Sequence, residues 1–198
     1  MSLLAADDAG PKPGKRNADH FNREGIWIDT DGQVGEDFQM IRMSALASRL
    51  KRRLLPVDRP PDQLVGDPDA PYIFRWRLWP KNPLINAYLH NVVRADDEAA
   101  LHDHPWPSVS IMLAGTIDET FAARKGEKVR KLRAGDVVLR KSRFAHRLSP
   151  VLTEPAWTLF ITGPRVREWG FHCAQGWRDW KTFVEARKGG KYNGCDDP

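Results

Sequence analysis

Short apolar and aromatic runs, separated by glycine, proline and charged residues, dominate the chain from residue 72 to residue 162. Runs of this kind are typical of β-strands, and many of them at short spacing indicate an all-β sandwich or barrel. No helical periodicity lies between them, which argues against a parallel α/β sheet. The predicted strands are residues 72–79, 84–93, 107–114, 116–123, 128–133, 136–140, 145–149 and 156–162.

The segments that flank this region have a different residue pattern. The first residues are rich in Gly, Pro and Asp and lack periodicity, which predicts a flexible tail. Residues 36–55 carry apolar side chains at helical spacing, with acids at the start and bases at the end, which predicts a helix. A Pro-rich connector, 58–71, follows it. The predicted organisation is a tail (1–22), an N-terminal extension (23–71), a barrel (72–165) and an aromatic-rich extension (166–198) that packs on the barrel or covers its site as a lid.

Composition and charge exclude several classes of protein. The 198 residues are 41% hydrophobic and 29% charged, and no apolar run is long enough to span a bilayer. Residues 124–147 hold ten basic and two acidic residues but only Phe144 as an aromatic for stacking, which argues against a nucleic-acid platform. Cys173 and Cys195 form no paired metal or redox motif, so we expect free thiols in a reducing, cytoplasmic compartment, with one disulfide as the alternative.

The histidines supply the candidate chemistry. His102 and His104 flank one residue, and side chains at i and i+2 of a strand point to the same face. Two imidazoles on one face can bind one metal ion. Gly115 follows where a strand must turn, and Gly135 opens a strand and turn that end on His146.

This arrangement resembles the two sequence motifs of the cupin superfamily. The first, HxH followed by Glu and then Gly, corresponds to HDHPWPSVSIMLAG, residues 102–115. The second, which begins with Gly and ends with His, corresponds to GDVVLRKSRFAH, residues 135–146. The resemblance implies a small jelly-roll barrel with three histidines converging on a metal inside it, namely His102, His104 and His146.

The chain departs from the family pattern at three positions. Ser108 stands where the family usually has a metal-binding Glu, and Lys141 and Arg143 replace the Pro and Gly of the second motif. Glu119, four residues beyond Gly115, is the reserve candidate for a metal ligand. Its alternative role is a solvated carboxylate that balances the basic segment.

Three imidazoles without a carboxylate leave a divalent ion several open positions, so Fe(II) could bind a chelating substrate and dioxygen side by side. Such a site is similar to that of the thiol dioxygenases, and HDHP resembles their cysteamine-dioxygenase and plant cysteine-oxidase branch. Fe(II) is therefore the expected cofactor, with Zn, Mn and Ni as alternatives. In a metal-free barrel the histidines would be hydrogen-bonding groups, as in cupin isomerases and epimerases of sugar-nucleotides.

Further polar groups are candidates for contacts with a substrate. Tyr88 shares one face of a predicted strand with His90, and it becomes a catalytic candidate if that face lines the barrel. Arg140 and Arg143 surround His146, and they are the candidates for binding an anionic group.

The sequence thus predicts a mononuclear metal-binding cupin, with an Fe(II) oxygenase or dioxygenase of a small anionic molecule as the expected function. The alternatives are an isomerase or epimerase of a sugar or sugar-nucleotide, and a non-catalytic cupin that binds a small molecule. The expected partner is a small-molecule substrate; a membrane and nucleic acid are not expected, and a homodimer is left open.

Overall fold

The computed structural model describes residues 20–21, 27–28, 38–55, 57–67, 69–95, 100–150, 155–187 and 194–196. Among these residues, no helix is long and apolar enough to cross a membrane. The predicted tail lies outside them apart from strand β1 (His20–Phe21), which pairs with β2 (Trp27–Ile28).

Two antiparallel sheets form the body of the described chain. The first has the strand order β3 (Phe38–Arg42), β11 (Asp136–Arg140), β8 (Ser108–Ala114), β13 (Ala156–Thr162), β6 (Asn86–Val92), β5 (Ala70–Arg77) and β4 (Gln63–Asp67). The second has the order β10 (Gly126–Arg133), β9 (Thr116–Ala123), β12 (His146–Pro150), β7 (Leu101–His102), β14 (Gly170–Cys173) and β15 (Gly176–Asp179). This double-sheet jelly roll confirms the predicted all-β class, and the eight predicted strands are observed as β5, β6 and β8 to β13.

The core lies between the two sheets. Alternate residues of strands from both sheets meet there in one buried apolar cluster: Met40, Ile73, Val92, Met112, Ile117, Phe121, Leu132, Val138, Phe144 and Ala156. Residues of opposite parity in the seven-stranded sheet form a second cluster with Ala47 of helix α1 (Ser44–Leu54). Apolar burial on both faces fixes this sheet, so its inward-facing polar side chains are held in defined positions.

Two glycines turn the chain where a side chain would not fit. Gly115, between β8 and β9, has φ +72°, and a Cβ there would lie 2.7 Å from the Cα of Ala156. Gly135, before β11, has φ +101°, and a Cβ there would lie 2.5 Å from Oγ of Ser44. Because left-handed backbone is costly for other residues, both turns require glycine. These are the glycines of the two sequence motifs.

The predicted helix over residues 36–55 is wrong in its first part. Residues Phe38–Arg42 form strand β3, which pairs with β11, and the helix begins only at Ser44. Pairing satisfies the backbone groups along the edge of β11 and buries Met40, which is 2% exposed. The predicted connector 58–71 also contains a strand, β4, which pairs with β5.

The C-terminal extension adds two strands to the six-stranded sheet and then forms helix α2 (Trp180–Arg187). Its aromatic rings pack on one another: the centroids of Phe171 and Phe183 are 3.7 Å apart, and Trp169 stacks on Trp180 at 5.6 Å. None of these four rings lines the central cavity described below. This placement favours packing over the role of a lid.

The two cysteines form a disulfide. Cys173 of β14 and Cys195 have their Cα atoms 5.4 Å apart, and Arg178 donates a hydrogen bond to the nearby carbonyl of Gly194 at 3.0 Å. The expectation of free thiols is therefore wrong, because the fold returns the end of the chain to β14. Disulfides persist mainly in oxidising compartments, so the cysteine argument for a cytoplasmic location no longer holds.

Candidate metal centre

Three histidines converge inside the barrel, as the sequence predicts. The ligating nitrogens of His102, His104 and His146 all lie within 4.8 Å of one another. Nε2 of His104 is 2.9 Å from Nε2 of His146. Two nitrogens bound at ~2.1 Å to one ion, at a right angle, lie ~3.0 Å apart, so the donor set fits a metal ion.

Strand pairing positions these imidazoles. His102 ends β7 and is the register partner of His146, the first residue of β12. Directly opposed residues of antiparallel strands place their side chains on the same face. His104 lies just beyond β7, where its backbone N–H donates to the carbonyl of Ser142 at 3.0 Å. That hydrogen bond holds the third imidazole beside the other two.

Burial keeps the three imidazoles neutral. It lowers the pKa of His102 and that of His146 to about 4, and it lowers the pKa of His104 well below 6.5. Neutral imidazole is the form that binds metal ions. The site therefore presents nitrogen lone pairs at neutral pH without prior loss of a proton.

A buried carboxylate supports His146 from behind. Glu119 is 0% exposed, and its Oε1 lies 2.6 Å from Nδ1 of His146. The same carboxylate accepts hydrogen bonds from Nε of Arg130 at 2.6 Å and Nε of Arg140 at 2.8 Å. Burial acts to raise the pKa of Glu119, but the charges of Arg130 and Arg140 outweigh it and hold that pKa well below its usual value. An ionised Glu119 accepts the Nδ1–H of His146 and leaves the Nε2 lone pair facing the other histidines.

The histidines form part of the wall of a partly open cavity of about 90 Å³ in the barrel. Since one water molecule requires ~10–15 Å³ of such space, the cavity has room for a small molecule. Most of its wall is apolar. The polar groups besides the three histidines are Tyr72, Arg75, His90, Ser110, Arg140 and Thr158.

Both sequence motifs thus meet at one point inside a jelly roll. The HxH pair comes from the end of β7, the final histidine opens β12, and the two motif glycines form the turns. The chain has the cupin fold.

Comparisons with known proteins find only weak structural similarity. No family model and no curated protein matches the sequence. Bacillus subtilis oxalate decarboxylase is similar at TM-score 0.43 and 20% identity, over 58% of this chain and 30% of that one. Streptomyces albus HEPD, solved with 2-hydroxyethylphosphonate and Fe(II), gives 0.44 and 17%, over 52% and 23%. A Klebsiella pneumoniae protein with a double-stranded β-helix domain gives 0.42 and 17%, over 56% and 86%. The chain thus spans less than a third of the first two proteins.

Of the three residues predicted to contact a substrate, one lines the cavity and two do not. Arg140 lines the cavity, but its Nε and Nη2 contact the carboxylate of Glu119. Its Nη1 donates a hydrogen bond to Oγ of Ser110 at 2.8 Å. Arg143 is exposed in the turn before β12 and does not line the cavity. Tyr88 does not line it either: its ring lies 5.1 Å from the guanidinium carbon of Arg75.

Glu119 does not join the three converging nitrogens. Its carboxylate contacts the nitrogen of His146 that faces away from them, because Arg130 and Arg140 hold both oxygens. The structure therefore gives Glu119 a supporting position in place of the predicted fourth ligand position or a solvated one.

Sequence reasoning missed Arg75, whose side chain lines the cavity from β5. Ile73, two residues earlier on the same strand, belongs to the core between the sheets. Residues i and i+2 of a strand share a face, so Arg75 lies on the same inward face as Ile73. A charged residue in that position of a predicted strand is the signal that could have identified this arginine.

Sequence reasoning also missed the role of Asp103, between the two histidines of the HxH pair. Its carboxylate is 1% exposed and ties the C-terminal extension to β7. It accepts hydrogen bonds from the backbone N–H of Gly170 at 2.9 Å, Nη1 of Arg167 at 2.6 Å and Nε1 of Trp177 at 3.0 Å. The middle residue of the motif is therefore structural.

Asp103→Asn is expected to destabilise the protein by about 1–3 kcal/mol, because an amide replaces a buried charged acceptor of several hydrogen bonds. Urea denaturation measures the free energy of unfolding. Asp118→Asn is the matched control, since Asp118 pairs with Lys131 at a partly exposed site, where the loss should be at most about 1 kcal/mol. Equal losses in the two variants would contradict the structural role.

Proposed function

We propose that this cupin is a mononuclear metal-dependent enzyme that uses dioxygen to oxidise a small anionic molecule. The observation that supports the proposal is the convergence of three neutral imidazoles beside a small cavity. Among the described residues, the converging set contains no carboxylate. Three neutral ligands leave the charge of a divalent ion uncompensated and several coordination positions open, which suits Fe(II) better than a closed structural zinc site.

Each protein group then has a definite task. Bound Fe(II) supplies the one-electron chemistry that the reaction of dioxygen requires. Glu119 orients His146, and the largely apolar wall of the cavity surrounds the substrate. In a dioxygenase reaction the substrate gives the electrons and receives both oxygen atoms, so no external reductant is needed.

A metal-free isomerase or epimerase is the second candidate, and one contact favours it. The 2.9 Å between Nε2 of His104 and Nε2 of His146 is also a normal hydrogen-bond length, so one imidazole could donate to the other. Such a pair could exchange protons with a sugar. The cavity of about 90 Å³ favours the first candidate, because pockets for larger ligands measure ~300–1,000 Å³.

Metal analysis followed by oxygen uptake tests the proposal. We expect protein purified without added metal to contain iron. We expect the iron-loaded protein to consume oxygen only when a small carboxylate or thiol-carboxylate is present. His146→Ala treated with the same iron is the control, and it should show no uptake above that of free Fe(II).

Each other outcome indicates a different function. Zinc in the purified protein would indicate hydrolysis or Lewis-acid chemistry. Anaerobic turnover of a sugar-nucleotide would indicate the isomerase. A tightly bound metabolite that persists unchanged, without oxygen uptake across the panel, would indicate a non-catalytic binding protein.

A further inference from the structure

We propose that Arg75, oriented by His90, binds the carboxylate of the substrate, so that the substrate is a small monocarboxylate lying between Arg75 and the three histidines. The inference rests on the proposed function, because it assigns the other end of the same cavity. It replaces Arg140 and Arg143, the arginines that the sequence suggested.

Arg75 lines the cavity with hydrogen-bond donors that the described residues do not fully use. Its Nε donates to Nε2 of His90 at 2.9 Å, and its Nη1 makes only a long contact, 3.3 Å, with Oε1 of Gln63. Among the described residues, no carboxylate pairs with this guanidinium. A cation that lines a cavity without a counter-ion is a site for an anion.

Arg140 lacks this freedom although it lines the same cavity. Glu119 neutralises it, and all three of its guanidinium nitrogens contact the protein. Binding a substrate there would require breaking buried ion pairs. Arg75 binds an anion without such a loss.

His90 and Tyr88 hold the guanidinium of Arg75 in place without cancelling its charge. Burial lowers the pKa of His90 well below 6.5, and the charge of Arg75 lowers it further, so His90 is a neutral acceptor. The ring of Tyr88 lies 5.1 Å from the guanidinium carbon, a favourable cation–π distance. Because Nε donates to His90 and the guanidinium is planar, Nη1 and Nη2 remain for other hydrogen-bond acceptors.

The volume of the cavity limits the length of the ligand. Phe160 lines the same cavity, with its ring centroid 5.1 Å from that of His90 and 6.3 Å from that of His104. A cavity of about 90 Å³ suits a carboxylate followed by a chain of a few atoms. Without a metal, one guanidinium balances a monoanion, whereas a dianionic phosphonate would leave excess charge in the cavity.

Calorimetric binding of propionate tests the assignment. Propionamide is the neutral analogue of the same shape, and methylphosphonate, titrated at a pH above its second pKa, is the dianionic comparison. Titrations of both the protein as purified and the chelator-treated protein separate binding to Arg75 from binding to a metal. We expect Arg75→Gln to weaken propionate binding by ~10–100-fold in both preparations, as for the loss of a charged hydrogen-bond partner, and to leave propionamide binding unchanged.

Arg77→Gln is the matched control, because Arg77 is an exposed arginine on the same strand that does not line the cavity. It should bind propionate like the unmodified protein. Arg75→Lys should bind propionate with intermediate affinity, and it replaces Arg75→Gln as the test variant if the latter does not fold.

The outcomes separate this inference from the proposed function. If the purified protein contains no metal but Arg75→Gln still weakens propionate binding, the result would contradict the proposed enzyme and support this carboxylate site. Three outcomes would overturn the inference: equal propionate affinity in Arg75→Gln and Arg77→Gln, tighter binding of methylphosphonate than of propionate by the chelator-treated protein, or no binding of propionate by the unmodified protein.

Discussion

Alanine at His102, His104 or His146 is expected to abolish metal binding while the barrel still folds. Each substitution removes one of three converging nitrogens, and the remaining pair lacks any carboxylate in the set. Loss of a mere supporting partner weakens metal binding by ~10–100-fold, so loss of a ligand should exceed that. Metal content by mass spectrometry and competition with a chelator measure the effect.

His172→Ala is the control for this experiment. His172 is an exposed histidine whose Nε2 contacts Asp103 at 3.2 Å, and it does not line the cavity. It should retain the metal content of the unmodified protein. Circular dichroism shows whether each variant keeps its strands. Full metal occupancy in folded His146→Ala would rule out the three-histidine site.

Glu119→Gln is expected to destabilise the protein by about 3–5 kcal/mol, the usual cost of leaving a buried charge without its partner. Arg130 is fully buried against the rings of Phe121 and Phe144, with its guanidinium carbon 4.9 Å and 5.5 Å from their centroids. Burial lowers the pKa of Arg130 to about 10, so it stays charged at neutral pH and needs the carboxylate. A loss of this size is a large part of the ~5–15 kcal/mol that stabilises a typical domain.

Urea denaturation of Glu119→Gln and Glu127→Gln compares two glutamates that differ in burial. Glu127 pairs with Arg147 at 3.0 Å, but its side chain is 49% exposed, so its loss should cost at most about 1 kcal/mol. In the folded fraction of Glu119→Gln, metal affinity should fall by ~10–100-fold, because His146 loses its charged partner. A free energy of unfolding equal to that of Glu127→Gln would refute the buried network.

The local sequence determined most of the strands and the identity of the histidine set. Alternation and turn residues identify a strand from a few neighbours, which is why β5, β6 and β8 to β13 agree with the predictions. The histidines were recognisable because two short motifs fix their spacing, with Gly115 and Gly135 at turns that require glycine. These features depend on neighbours along the chain.

The helical periodicity near the N-terminus shows where this local information fails. Residues 38–42 have helical spacing, yet they pair with β11, nearly a hundred residues away in the chain. The backbone hydrogen bonds and the burial of Met40 supplied by that partner outweigh local propensity. The disulfide between Cys173 and Cys195 depends in the same way on a return of the chain that spacing does not reveal.

Only the tertiary structure decided what the charged residues do. Glu119, Arg130 and Arg140 lie on three different strands, and the closure of the barrel makes them one buried ionic network behind His146. The same closure leaves Arg75 facing the cavity without a carboxylate among the described residues. Charges interact through space at short range in a low-dielectric interior, so their partners depend on the packing of strands and not on their order in the sequence.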